Sequence, residues 1–172
     1  NGEGIVETPV IISAKKAFHG RGFGSTSLMD DAMSRKDLAP LMPGFEHIPF
    51  NNIDALEAKI REHDGNVAAV YLEPIQAEAG IILPDENYLK EVQQLAKKNN
   101  TLLVLDEIQT GFGRTGQDFA WQTYGLEPPD LMTIGKAMGA GILPISCLCG
   151  KRHLMEMFEP HSEGSTFGGY PL

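Results

Sequence analysis

Two short apolar runs, LLVL at 102–105 and LMTI at 131–134, constrain this chain more than any other feature. Both have strand length, and each delivers one ionisable residue at its carboxyl end, Asp106 and Lys136. A third run, VAAVYL at 67–72, precedes them. Its continuous apolarity suits a central parallel strand covered on both faces. Between 72 and 102 the residues from Asp85 to about Lys98 read as a helix, with Leu89, Val92 and Ala96 on one face and lysines in the last turn, where the helix dipole favours cations. Strand, helix and strand in that order make a right-handed crossover, so the predicted class is α/β with a mostly parallel sheet and flanking helices. Open sheets of that kind bind ligands at the carboxyl ends of their strands, which is where Asp106 and Lys136 fall.

The rest of the chain fits around this unit. VIISA at 10–14 reads as a buried strand, and AKKAFHGRGFGS as a turn-rich loop after it. In that loop Phe18 offers a flat apolar surface and Arg21 a bidentate grip on a carboxylate; the plainer alternative is a core phenylalanine and a solvated arginine. His19 reads as structural, because nothing near it in the sequence is a nucleophile for it to activate. Residues 24–37 show no period, and LMPGFEHIPF reads as an ordered loop leading into a short strand. NNIDALEAKIREHDG is a capped helix, with an asparagine cap, Asp54 in the first turn, Ile53, Leu56 and Ile60 on one face and Gly65 past its end. Glu73 and Glu78 follow the strand at 67–72 and serve equally well as site carboxylates or as solvated acids. A short helix is expected around Phe119 to Tyr124, a strand from Ile145 to Cys149, a helix from Lys151 to Phe158, and a glycine and hydroxyl loop, HSEGSTFGGYP, suited to a phosphate.

Bulk composition narrows the partners. With 14 basic against 23 acidic residues the formal charge is -9, and no dense basic run overrides it, so neither a nucleic-acid nor an anionic-membrane surface is expected. No apolar run is long enough for a transmembrane helix and no leader-like segment is visible. The chain begins at Asn1 and is read as an internal slice of a longer protein. Its two cysteines, Cys147 and Cys149, read as reduced, small core residues, too few to bind a metal. A cytoplasmic location follows as the expectation, or the mitochondrial matrix in a eukaryote.

Two nucleotide motifs are only apparent. Gly111, Gly113 and Gly116 match G-x-G-x-x-G, but they begin several residues after the strand has ended, and Lys136 stands where the acidic ribose ligand belongs. LLVLDE looks like a Walker B strand, yet the chain holds no G-x-x-x-x-G-K-[ST].

A lysine directly after a buried strand is costly unless it is solvated, paired or chemically used. An amine and a carboxylate at neighbouring strand ends suit pyridoxal phosphate (PLP), which is held by a lysine and takes an acidic partner at its ring nitrogen. The motifs FHGR, LMPGFEHIPF, EPIQAEAG, LDEIQTGFGRTG, PDLMTIGKAMGAGILP and GSTFGGYPL, in this order, then resemble the class III (omega) PLP-dependent aminotransferases, in their ornithine and acetylornithine branch. The likeness implies the large domain of PLP fold type I, with residues 1–172 as its central part and the N-terminal segment and C-terminal small domain outside the chain.

The resemblance also implies roles. Lys136 would carry the cofactor and shuttle the substrate proton, and Asp106 would hold the pyridine nitrogen protonated. Gln109 would bond the phenolic side of the ring, with Ile108 and Phe18 on its two faces. Ser165 and Thr166 would reach the phosphate of a partner subunit, which implies a homodimer. Arg21 would bind a substrate carboxylate, Glu78 would act as a gate for a second arginine outside the chain, and Glu73 would support the cofactor region. The implied reaction moves a terminal amino group from ornithine, acetylornithine or a related amine to 2-oxoglutarate. An aminomutase on the same fold and a non-catalytic, truncated homologue acting as a dimerisation module are the alternatives. The chain departs from the family pattern at Gly22 in FHGRG, Ala77 in QAEAG and Tyr170 in GGYP.

Overall fold

A computed structural model of the chain describes residues 8–162, 164 and 165. Among these residues six strands form one sheet in the order β2-β1-β3-β4-β5-β6. They are β1 (Val10–Ala14), β2 (Phe45–Ile48), β3 (Val67–Leu72), β4 (Leu102–Asp106), β5 (Leu131–Ile134) and β6 (Cys147–Gly150). All neighbouring pairs are parallel except β5 with β6, which is antiparallel. The helices are α1 (Phe23–Ser27), α2 (Ala32–Arg35), α3 (Ile53–Glu62), α4 (Tyr88–Lys98), α5 (Ala120–Thr123) and α6 (Arg152–Met155).

The crossover expected from the sequence is the centre of the molecule. Strands β3 and β4 pair in parallel with Leu72 opposite Leu105, and α4 returns the chain between them. Burial decides the packing: Ile12, Val70, Leu72 and Leu105 of the sheet meet Leu56 of α3 and Val92 of α4, all fully buried, in one core. Helix α3 starts as its sequence dictates, since Asn52 accepts the Ala55 amide at 2.8 Å and satisfies a donor that the first turn leaves open. It ends at Glu62, and the chain then turns away through positive φ at Asp64 (50) and Gly65 (76).

The structure moves several local boundaries: α4 starts at Tyr88 rather than Asp85, and β6 runs from Cys147 to Gly150 rather than from Ile145 to Cys149. Residues 24–37 hold the one-turn helices α1 and α2, too short for a hydrophobic period to register. Helix α6 ends at Met155 rather than Phe158. Cys147 and Cys149 are not core residues: the first is exposed and the second half-buried, because β6 is the last strand of the described sheet. Their sulfurs lie 3.8 Å apart as free thiols. Among the described residues no helix is long and apolar enough to cross a membrane.

Candidate active site

The parallel strands deliver four loops to one edge of the sheet, and those loops carry the candidate residues. After β1 comes the segment with Phe18, His19 and Arg21; after β3, Glu73 and Glu78; after β4, Ile108 and Gln109; after β5, Lys136. A cavity of about 130 Å³ opens among them, lined by Phe18, His19, Gly20, Glu73, Ala77, Glu78, Asp106, Ile108, Gln109 and Lys136. Residues far apart in sequence converge there because β1, β3, β4 and β5 are consecutive in the sheet.

Asp106 ends β4 with its side chain 4% exposed. Its Oδ2 lies 2.8 Å from His19 Nδ1, and its Oδ1 accepts the Ile108 amide at 3.2 Å. A buried carboxylate is costly unless hydrogen-bonded, and these two contacts both compensate its burial and fix its orientation. Where the Asp106 oxygen is the acceptor of this contact, the imidazole donates from Nδ1. The His19 ring is itself held edge-on against Tyr71, with centroids 4.6 Å apart, and the Tyr71 hydroxyl meets Thr133 Oγ1 at 3.2 Å. Burial, with the Asp106 charge adding to it, pushes the Tyr71 phenol up to about 12, so it stays protonated. His19 therefore has a place in the site that its sequence surroundings do not show. Its contact with Asp106 spans 87 residues and becomes visible only once the strand order is known.

At the other side of the cavity Lys136 is exposed and donates through Nζ to Gln109 Oε1. Solvent and this partner answer the cost of a lysine behind a buried strand. The backbone at Lys136 has φ 43, in the left-handed region that costs a side-chain-bearing residue of order 1–3 kcal/mol. Ile108 reaches the same strand end, its Cγ1 lying 3.6 Å from where a Cβ on Gly135 would stand.

Glu73 ties two of the loops together. Its carboxylate accepts the Phe18 amide at 3.0 Å and the Ala77 amide at 3.3 Å, so the loop after β1 and the loop after β3 share one acceptor. Burial pushes its pKa above the usual carboxylate range, and the Phe18 amide opposes that only in part. A carboxyl that binds its proton more tightly folded than unfolded favours the fold below its unfolded value, and this contribution is lost as pH rises through the folded value. Glu73→Gln removes the titration. The Tm of the wild type should therefore gain on that of the variant as pH falls from 7 towards the Glu range, and a constant Tm difference across the series would show that Glu73 does not titrate in this way.

Arg21 lines an adjoining hollow of about 590 Å³ that shares Phe18 and Glu78 with the cavity, and its guanidinium carbon lies 5.6 Å from the Phe18 ring centroid. Ser165 is exposed and does not line the cavity. Thr166 and Tyr170 lie outside the described residues. No group of three or more metal-binding side chains occurs among the described residues.

This arrangement offers a primary amine, a buried and oriented carboxylate, and a phenylalanine and an isoleucine as apolar walls. Residues 3–172 match the family Aminotransferase class-III. The chain belongs to that family. Class-III aminotransferases are PLP enzymes of fold type I, and the sheet described above is that fold. The chain is 44% identical over 171 residues to the ornithine aminotransferase of Oceanobacillus iheyensis, a match that covers 99% of this chain and 42% of the relative. It is 45% identical over 161 residues to the acetylornithine aminotransferase of Methanothermobacter thermautotrophicus, covering 94% and 40%. Among solved structures it resembles the ornithine aminotransferase of Toxoplasma gondii ME49, with TM-score 0.89, 37% identity, and 95% of this chain against 38% of that one. A second structure of the Toxoplasma gondii protein, with TM-score 0.88 and 36% identity over 94% and 37% of the two chains, is described with PLP at partial occupancy in its active site. The chain thus spans about two fifths of the length of the relatives it matches. The cavity's donors and acceptors fit the cofactor that family uses.

Proposed function

We propose that the protein is a PLP-dependent aminotransferase that moves a terminal amino group from ornithine, N-acetylornithine or a similar amine to 2-oxoglutarate, giving an aldehyde and glutamate, and that it works as a homodimer. What carries the reading is the pairing of a buried, doubly hydrogen-bonded Asp106 with the Lys136 amine around a single cavity. When bound, PLP supplies the electron sink that makes the hydrogen on the amine-bearing carbon removable.

The chain's own residues do the rest. Lys136 Nζ would hold the cofactor and, once displaced by the substrate amine, would serve as the acid–base group for the substrate proton, with Gln109 accepting from it and holding it at the cavity. Asp106, oriented by His19 and the Ile108 amide, would keep a proton on the ring nitrogen; each pKa unit by which it raised that nitrogen would be worth about 1.4 kcal/mol. Phe18 and Ile108 confine the ring, Arg21 receives a substrate carboxylate, and Glu78 stands at the mouth between the two hollows. Ser165 and Thr166 serve the phosphate of the partner's cofactor, which is why a dimer is part of the proposal.

The test is an end-point assay of the PLP-loaded gene product. Each amine is supplied with and without 2-oxoglutarate, and glutamate is measured. Glutamate formed only when both are present supports the proposal. Conversion of the amine without the oxo acid would replace it with an isomerase reading, and no conversion of any amine by a folded, PLP-loaded protein would replace it with a non-catalytic one.

A further inference from the structure

We propose that Glu107 is a positioning residue for Gln109, and through it for Lys136; the proposal rests on the aminotransferase reading above. Glu107 directly follows Asp106, is fully buried, and does not line the cavity. Its carboxylate accepts from the Thr110 hydroxyl, from the Ala120 amide at 3.1 Å and from the Trp121 amide at 2.9 Å. Three donors converging on a buried carboxylate make the strong, charge-assisted kind of hydrogen bond, and losing any one of them leaves a buried group unsatisfied.

These bonds surround Gln109 on both sides. The Glu107 amide donates to Thr133 O at 2.9 Å, which extends the β4–β5 ladder by one residue, and its carbonyl accepts the Gly111 amide at 2.9 Å, which closes the turn 107–111. The turn has no slack, because a Cβ on Gly111 would lie 2.9 Å from the Glu107 carbonyl oxygen and 3.1 Å from the Phe119 ring. Within it Ile108 is tied to Asp106 and Thr110 to Glu107, so both chain neighbours of Gln109 are anchored while its own side chain reaches out to Lys136. The Ala120 and Trp121 bonds anchor that turn in turn to the start of α5. Consecutive residues thus divide the work: Asp106 faces the cavity, and Glu107 faces away from it and sets the turn.

The experiment is a double-mutant cycle in the PLP-loaded gene product: wild type, Glu107→Gln, Gln109→Ala and both, assayed at a temperature where thermal melts show every form folded. A carboxamide cannot accept at both ends, so the turn shifts. Displacement of a positioning group by about 1 Å costs up to about a hundredfold. Glu107→Gln should lower kcat by about tenfold to a hundredfold, and the double variant should lose no more than Gln109→Ala alone. In cofactor-free protein, amide exchange over 108–111 should speed up in Glu107→Gln and not in Gln109→Ala. Should Glu107→Gln fail to fold, Thr110→Val removes one donor and enters the same cycle. Losses that multiply in the double variant, or exchange over 108–111 unchanged from wild type, would overturn the proposal. Absence of turnover in the wild type with every amine would instead count against the aminotransferase reading.

Discussion

Replacing Lys136 by alanine is expected to lower kcat by about 10⁴-fold, the upper end of what a positioned acid–base group contributes. Lys136 sits at the carboxyl end of β5, beside the end of β4 because Asp106 pairs with Thr133, and its amine reaches Gln109 across the cavity. Nothing buried depends on it, since Lys136 is exposed, so the variant should fold with a Tm close to wild type. That separation makes the test decisive. A folded Lys136→Ala protein that takes up PLP without covalent attachment, and recovers some turnover when a small primary amine is added, would assign the proton transfer to Nζ. Full activity in the variant would remove Lys136 from the chemistry.

The second large effect belongs to Asp106→Asn. The substitution keeps the size of the side chain but removes its charge, and it sets an NH2 group against a donor, either His19 Nδ1–H or the Ile108 amide. His19 can escape by moving its proton to Nε2, which is buried and has no partner among the described residues. The Ile108 amide has no such escape. Stability should fall by about 1–3 kcal/mol, the cost of one unsatisfied buried group. The larger loss is electrostatic: a preorganised partner for developing charge is worth about 10²–10³ in kcat. Absorbance of the bound cofactor across pH would show the ring nitrogen losing its proton more readily in the variant. An unchanged kcat, with unchanged spectra, would reduce Asp106 to a structural role.

Asp106 and Lys136 were legible because a buried parallel strand announces itself by an unbroken apolar run, and the first ionisable residue after it stands at the ligand-binding edge. The crossover through α4 was legible for the same reason, since its period and caps are local properties. His19 was not: whether it touches Asp106 depends on β3 lying between β1 and β4, and no residue near His19 encodes that order. Glu107 was hidden differently, because nothing local to it shows that its side chain turns away from the cavity towards α5. Of the four one-turn helices among the described residues, α5 and α6 are expected from the sequence, whereas α1 and α2 are not, because they lie in a stretch without any apolar period. The exposure of Cys147 and Cys149 was misread because β6 has the small-residue composition of a core strand while lying at the edge of the described sheet.

The left-handed backbone at Lys136 sets foldability and chemistry against each other at one position. Glycine adopts that φ without penalty, so Lys136→Gly should melt higher than Lys136→Ala while being equally inert. Screening of variants for solubility or thermal tolerance would therefore enrich the substitution that destroys turnover, and drift in a copy released from selection for catalysis would run the same way. On the proposed function, lysine at a place where the main chain prefers glycine would be a record of use, kept only as long as its amine has a reaction to perform.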